Sequence, residues 1–77
     1  MAKKEKLTEL QQIGTNVRKL REAADISRSQ LAFEIGTTEK QLARIEYGEI
    51  NSGIMNYIKI ARVLNADLNE IFNKIKL

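Results

Sequence analysis

The chain of 77 residues contains no cysteine and no histidine, and both absences exclude classes of site. Disulfide bonds, zinc centres built from Cys and His, thiol nucleophiles and histidine acid–base catalysis all require one of these side chains. The ten Asp and Glu residues are scattered along the chain, with no glycine-rich phosphate loop near them. We therefore expect a protein that is not an enzyme and that uses no metal or other cofactor.

Long apolar runs are also missing from the chain. None approaches the roughly 18 residues that a membrane-spanning helix needs. The chain starts with the polar segment Met1–Lys6, which has no apolar stretch of the kind found in secretion signals. These absences predict a cytoplasmic protein without a membrane partner, and the length of the chain suits one domain.

Positive charge is in clear excess only at the start of the chain. The net charge is +3, from 13 Lys and Arg against 10 Asp and Glu. Lys3, Lys4 and Lys6 against Glu5 supply two of these charges, so the balance over residues 7–77 is only +1. A basic chain fits an acidic partner such as nucleic acid. Because the total is small, that argument must rest on where the charges lie.

Helices joined by glycine turns are the structure that the remaining pattern predicts. Proline is absent, no stretch alternates as a strand does, and apolar residues recur at helical spacing. Residues 10–77 are expected to form one all-α domain of five helices, after a flexible basic extension at residues 1–9. Gly14 is expected to interrupt helix 1. The predicted buried face of helix 1 consists of Leu10, Ile13, Val17, Leu20 and Ala24.

Two capping signals predict the starts of the next two helices. Ser27 and Gln30 have the spacing of a capping box, in which the Ser oxygen accepts a backbone N–H and the Gln side chain reaches back. Thr38 and Gln41 repeat this spacing. A glycine that can adopt a left-handed conformation follows each helix. Helix 2 is predicted over residues 28–35, ended by Gly36, and helix 3 over about residues 38–47, ended by Gly48.

The second half of the chain carries two more helical patterns. The apolar face of helix 4 is broad, which is typical of a central, well-buried helix. Asp67, with Glu70 three residues later, predicts the start of helix 5. The apolar positions are Ile54, Ile58, Ile60, Ala61, Val63 and Leu64 in helix 4, and Leu68, Ile71 and Phe72 in helix 5.

Helices 2 and 3 together have the features of a helix-turn-helix. Ala32 is small where helix 3 is expected to cross helix 2 closely, and Gly36 supplies the turn between them. Leu31, Leu42 and Ile45 are placed to hold the two helices at a steep angle. This arrangement directs the start of helix 3 outward.

At these residues the chain resembles the Xre/Cro-type family of phage and bacterial repressors, over about residues 13–72. The resemblance rests on several segments together, because any one of them alone would be weak. It implies a compact five-helix DNA-binding domain whose helix 3 enters the major groove of double-stranded DNA. The matching segments are Arg21–Ser27, Leu31–Ala32, Gly36–Thr38, Arg44–Gly48 and Ile60–Leu64.

By this resemblance, the exposed early positions of helix 3 contact bases. Arg44 and Lys40 can donate to guanine O6 and N7. Gln41 can pair with adenine, and Glu39 can accept from cytosine N4. Each residue also has an ordinary alternative: Glu39 favours the helix dipole, Gln41 completes a cap, and the two cations form a solvated face. Base contact is favoured for Arg44, Lys40 and Gln41, whereas the two interpretations of Glu39 are balanced.

The resemblance also implies contacts to DNA phosphates. Arg28 lies at the start of helix 2, where free N–H groups attract anions. Capping alone explains the hydroxyl residues before helices 2 and 3, and turn preference explains the polar residues after helix 3, so Arg28 is the strongest candidate. Glu49 stands where the family often has a basic residue. The candidate phosphate contacts are Ser27, Arg28, Thr38, Tyr47, Asn51 and Ser52.

Arg21 and Glu46 match a charge pair that, in similar repressors, ties helix 1 to the end of helix 3. The resemblance therefore gives this pair a structural role. If the pair is buried, removal of one partner would cost on the order of 3 to 5 kcal/mol, because the other charge would be stranded.

A homodimer is expected as well, because related repressors use two domains to read a near-palindromic site. Ile75 and Leu77 are the candidate dimer contacts, since they follow the point where the core closes. Met55 and Ile58 on helix 4 are further apolar candidates. Phe72, by contrast, is expected to complete the core.

Two functions fit these features. The first is a sequence-specific transcriptional regulator, either a repressor or a controller of a neighbouring gene pair. The alternative is the antitoxin of a toxin–antitoxin pair, whose helix-turn-helix binds DNA while another surface masks a protein partner. A long extra segment would favour the antitoxin, and this chain has only the short N-terminal extension. Without a ligand-binding domain, regulation is expected through protein concentration, dimerisation or a partner.

Overall fold

The computed structural model describes residues 7–75, in which five α-helices are joined by short turns. No strand occurs in this range. The all-α, five-helix architecture predicted from the sequence is confirmed. The helices are α1 (Glu9–Ala23), α2 (Arg28–Ile35), α3 (Glu39–Glu46), α4 (Ile54–Leu64) and α5 (Leu68–Ile71).

A capping box fixes the start of α1. The Thr8 Oγ1 accepts from the Gln11 N–H at 3.1 Å, and the Gln11 Oε1 accepts from the Thr8 N–H at 3.0 Å. Two backbone donors that the helix leaves unpaired are thereby satisfied. The helix thus begins within the segment 1–9 that sequence analysis assigned to an extension. The rest of that prediction, at residues 1–6, lies outside the described residues.

Gly14 lies inside α1, so the predicted interruption of the helix there is wrong. The residue is buried because α1 crosses the last turn of α3 at this point. A Cβ on Gly14 would overlap the carbonyl oxygens of Ile45 and Glu46. The predicted burial of Ala24 is also wrong: it caps the exposed end of α1 instead.

Local capping also bounds α2. The Ser27 Oγ accepts from the Gln30 N–H at 3.0 Å, and Gly36 ends the helix with φ of 78°. The other half of the predicted capping box is wrong, because the Gln30 side chain donates to the Glu34 Oε2 at 2.8 Å. These two residues are four apart on the exposed face, where such pairs meet easily.

The core takes residues from all five helices. Within residues 7–75, ten apolar side chains are buried, and half-buried apolar residues pack against them. Each large side chain that leaves water contributes about 1.5 to 3 kcal/mol, so a core of this size stabilises the domain without a disulfide or metal. The buried residues are Val17, Leu31, Ala32, Ile35, Leu42, Ile45, Tyr57, Ile60, Ala61 and Ile71.

α4 is less buried than its apolar stripe predicts. Ile54, in the first turn, is 52% exposed, so its predicted burial is wrong. Ile60 and Ala61 are buried as predicted, and Tyr57, which was not predicted, is buried beside them. The Tyr57 ring meets the Phe72 ring edge-on, with 5.7 Å between centroids, and Phe72 packs against the core as expected.

Asn16 ties α1 to the end of α5. Its side chain is buried, and its Nδ2 donates to the carbonyl oxygens of Ile71 at 2.9 Å and Asn73 at 2.8 Å. Its Oδ1 accepts from the Gln12 Nε2 at 2.9 Å. Every polar atom of this buried amide group therefore has a partner, as burial of a polar group requires.

α5 starts at the predicted pair of acidic residues, Asp67 and Glu70. The Asp67 N–H donates to the Glu70 Oε2 at 2.9 Å, which stabilises the first turn of α5. Ile75 is half-buried but is not among the residues packed on the core. Leu77, the second predicted dimer contact, lies outside the described residues.

Candidate nucleic-acid interface

α2 and α3 form the predicted helix-turn-helix. The turn between them holds Gly36 and ends at Thr38, whose Oγ1 accepts from the Gln41 N–H at 3.0 Å. Leu31 of α2 and Leu42 of α3 are fully buried, so the inner faces of both helices are closed. The start of α3 is left on the surface.

α3 has one buried face and one exposed face. Its inner side consists of Leu42, Ile45 and Glu46. At roughly 100° per residue, Lys40 and Arg44 lie in the middle of the opposite side. The four residues predicted to contact bases, Glu39, Lys40, Gln41 and Arg44, are all exposed, with Glu39 and Gln41 at the two edges of this face.

The polar residues named as phosphate contacts have local roles in the structure. The Ser27 and Thr38 oxygens cap helices, as described above. The Ser52 Oγ accepts from the Asn56 Nδ2 at 2.6 Å, and the Asn51 Oδ1 lies 3.4 Å from a backbone N–H two residues later. The hydroxyl protons of these Ser and Thr side chains still have the capacity to donate.

The structure brings Arg21 and Glu46 together as a buried, two-point ion pair. The Arg21 Nε donates to the Glu46 Oε2 at 2.7 Å, and its Nη2 donates to Oε1 at 3.1 Å. The remaining Arg21 Nη1 donates to the Ile26 carbonyl oxygen at 3.0 Å. This pair joins α1 to the end of α3, which is the structural role that the resemblance implied.

Arg28 also binds Glu46, a contact that sequence analysis did not predict. Its Nε donates to the Glu46 Oε1 at 3.2 Å, and its guanidinium lies 5.4 Å from the centre of the Tyr47 ring. Burial lowers the pKa of Arg28, but hydrogen bonding and charge interaction with Glu46 and Tyr47 outweigh it, so the pKa is raised. Arg28 and Tyr47, two of the predicted phosphate contacts, therefore form one site.

Two features of this surface had weak or no signals in the sequence. The Arg28 contact depends on how the start of α2 meets the end of α3, and 18 residues separate Arg28 from Glu46. Phe33 of α2 is 80% exposed, although its residue type favours burial. The exposure of Phe33 could have been predicted from its position in the helix. Leu31, Ala32 and Ile35 define the inner face of α2, and Phe33 lies outside that face.

No helix within residues 7–75 is long and apolar enough to span a membrane. In the same part of the chain, no three acidic side chains are grouped so that they could hold a metal ion.

Comparisons with known proteins agree with this geometry. A family model described as helix-turn-helix, HTH_3, matches residues 17–71. The restriction-modification controller protein C.AhdI from Aeromonas hydrophila is 31% identical, with a TM-score of 0.79 over 83% of this chain and 93% of that one. The sequence matches none of the curated proteins with which it was compared.

Two further solved structures have the same fold. An HTH_3 family transcriptional regulator from Vibrio cholerae is 30% identical, with a TM-score of 0.75 over 83% of this chain and 36% of that one. The clp gene regulator ClgR from C. glutamicum is only 15% identical but has a TM-score of 0.81 over 86% of each chain, a likeness of fold. With the family model matched over most of its length, this chain belongs to the HTH_3 family of Xre/Cro-like helix-turn-helix domains.

Proposed function

We propose that this chain binds double-stranded DNA sequence-specifically and regulates transcription, with α3 in the major groove. The observation that carries the proposal is the exposed face of α3, with Lys40 and Arg44 at its middle. The major groove admits an α-helix and presents a distinct set of donors and acceptors for each base pair. Arg44 and Lys40 donate to guanine, while Gln41 and Glu39 reach bases on either side.

Phosphate contacts flank this helix. Arg28 and Ser27 at the start of α2, and Thr38 at the start of α3, bind one part of the backbone. Tyr47, whose ring packs against Arg28, contacts the same part, and Asn51 and Ser52, after the end of α3, bind another. Such contacts fix the position of the protein on the duplex, whereas the base contacts carry the sequence preference.

The active species is a homodimer that reads two half-sites about one DNA turn apart. Apolar side chains that the core leaves unused support this: Met55 is 55% exposed, and Ile58 and Ile75 are half-buried. Met55 and Ile58 are three residues apart, so they lie on the same side of α4. Leu77, together with Ile75, remains a candidate dimer contact.

The regulatory outcome that we propose is repression, by occupation of a promoter site that polymerase also needs. C.AhdI is a restriction-modification controller protein, and this chain covers 93% of it at 31% identity. Control of a neighbouring gene pair is therefore the form of regulation that the likeness favours.

Selection of bound fragments from random and genomic DNA tests this function. The best fragment is then titrated against salt beside a scrambled duplex of equal length. We expect a near-palindrome with half-sites about one turn apart, bound at least roughly 1,000-fold more tightly than the scramble. Equal binding of all duplexes, or of none, would overturn the proposal and favour a domain that masks a protein partner, as an antitoxin does.

A further inference from the structure

Glu46 accepts hydrogen bonds from two arginines. Its side chain is 0% exposed, and Arg21 donates a hydrogen bond to each of its two carboxylate oxygens. Arg28 then adds a third hydrogen bond at Oε1. Two positive charges share one negative charge, so the cluster carries a net charge of +1. Arg28, with 25% of its side chain exposed against 9% for Arg21, is the member nearer to solvent.

Arg28 uses only part of its guanidinium within the protein. Its Nε binds Glu46, and the rest of the guanidinium interacts with Tyr47. The Arg28 side chain is 25% exposed, and no side-chain nitrogen or oxygen in the described range is both buried and unpaired, so any Arg28 Nη group without a partner reaches solvent. Tyr47 packs against the guanidinium, with its centre 5.4 Å from Arg28 Cζ. The planar group is therefore held at its Nε and on one face, and N–H donors of the two Nη groups are left for a ligand.

We propose that Glu46 positions Arg28 to bind a single DNA phosphate through both Nη groups, with Tyr47 as the support for its plane. The inference rests on the proposed DNA binding and deepens it. Two parallel N–H donors match two phosphate oxygens in geometry, and a donor that is already ordered loses little freedom on binding. Glu46 is thus a positioning residue, because it acts on DNA only through Arg28.

This arrangement requires arginine and not merely a positive charge. A lysine at position 28 has one compact ammonium group, which cannot hold Glu46 and present two parallel donors at the same time. Arg28→Lys therefore separates the proposed geometry from simple charge attraction.

The test measures the affinity of the selected duplex, as a function of salt, for the wild-type protein, Arg28→Ala and Arg28→Lys. Lys19→Ala, which removes an exposed cation from α1, is the matched control. We expect Arg28→Ala to weaken binding roughly tenfold. Its log–log salt slope should fall by about 0.9, the contribution of one phosphate. Arg28→Lys should resemble Arg28→Ala, and Lys19→Ala should resemble the wild type.

Single methylphosphonate substitutions in the duplex then identify the contact. One position per half-site should weaken wild-type binding but leave Arg28→Ala unaffected. Glu46→Gln should lose the same sensitivity while it keeps its sequence preference. If Glu46→Gln does not fold, Arg28→Lys decides the question.

The inference is overturned if Arg28→Lys binds as the wild type does, or if Arg28→Ala leaves the salt slope unchanged. Either result, with wild-type protein that still selects a DNA sequence, refutes only the role of Arg28 and Glu46. Absence of any sequence selection by the wild type refutes the proposed function itself.

Discussion

Gly14 of α1 packs directly against the carbonyl group of Glu46 in the last turn of α3. The crossing places two helix backbones in contact, with no side chain between them. Seven residues further along α1, Arg21 binds the carboxylate of the same Glu46. The position of α3 therefore depends on α1 through both backbone contact and an ion pair.

The first prediction concerns this crossing. Gly14→Ala should destabilise the domain by about 1 to 3 kcal/mol, because the added methyl group must push the two helices apart. In an exposed helix interior, the same change would stabilise by about 1 kcal/mol. Urea unfolding distinguishes the two signs, and Lys19→Ala in the same helix provides a neutral comparison. A gain in stability for Gly14→Ala would contradict the close crossing.

A stabilising change is expected at Asp25. This exposed residue has φ of 58°, a left-handed conformation that costs a non-glycine residue about 1 to 2 kcal/mol. Asp25→Gly should therefore raise the free energy of unfolding by about 1 kcal/mol, since Asp tolerates this region better than most residues. Thermal unfolding of Asp25→Gly beside Lys19→Gly tests it. Lys19→Gly should lower the free energy of unfolding by about 1 kcal/mol. A lower free energy of unfolding in both variants would refute the prediction.

Asn16 provides a third prediction. Asn16→Ala removes the donor for the carbonyl oxygens of Ile71 and Asn73, and each unsatisfied group costs about 1 to 3 kcal/mol. Amide hydrogen exchange should speed up first in α5, since this link joins α5 to α1. Gln12→Ala, which removes only the partner of the Asn16 oxygen, should have a much smaller effect. Equal losses in the two variants would contradict the proposed link.

Arg21 and Arg44 should separate stability from DNA binding. Arg21→Ala leaves the buried carboxylate of Glu46 with Arg28 as a partner, and we expect the free energy of unfolding to fall by about 3 kcal/mol. Arg44 is exposed, so Arg44→Ala should change stability by no more than about 0.5 kcal/mol. Denaturant unfolding of both variants is the measurement. Equal losses would show that the two arginines do not have separate roles.

The sequence predicted helix boundaries well where a boundary depends only on residues close together in the chain. Ser27, Thr38 and Asp67 precede the helices that they were expected to start, and Gly36 ends α2 with a positive φ. A cap involves residues within one turn, so its whole environment is present in a short segment. The spacing of Leu31, Leu42 and Ile45 predicted that the start of α3 points outward, and the family resemblance supplied its exposed positions.

Features that depend on contact between distant segments were not predictable in this way. Glycine usually destabilises the interior of a helix, and only the close approach of α3 explains why Gly14 lies within α1. Helical spacing placed Ile54 inside, but the core ends before the first turn of α4. Tyr57 and Asn16 took core positions that simple apolar patterns do not mark. The contact between Arg28 and Glu46 likewise exists only after α2 and α3 fold against each other.

The central claim is that α3 reads base pairs, and Arg44→Ala tests it most directly. Affinities of wild type and variant are measured for the selected site and for every single base-pair substitution within one half-site. We expect the variant to lose its discrimination between bases at one position, a difference in binding free energy of about 1 to 3 kcal/mol. Its preference at the other positions and its fold should be unchanged. A variant that keeps the full preference, or that weakens binding to all sequences equally, would contradict the claim.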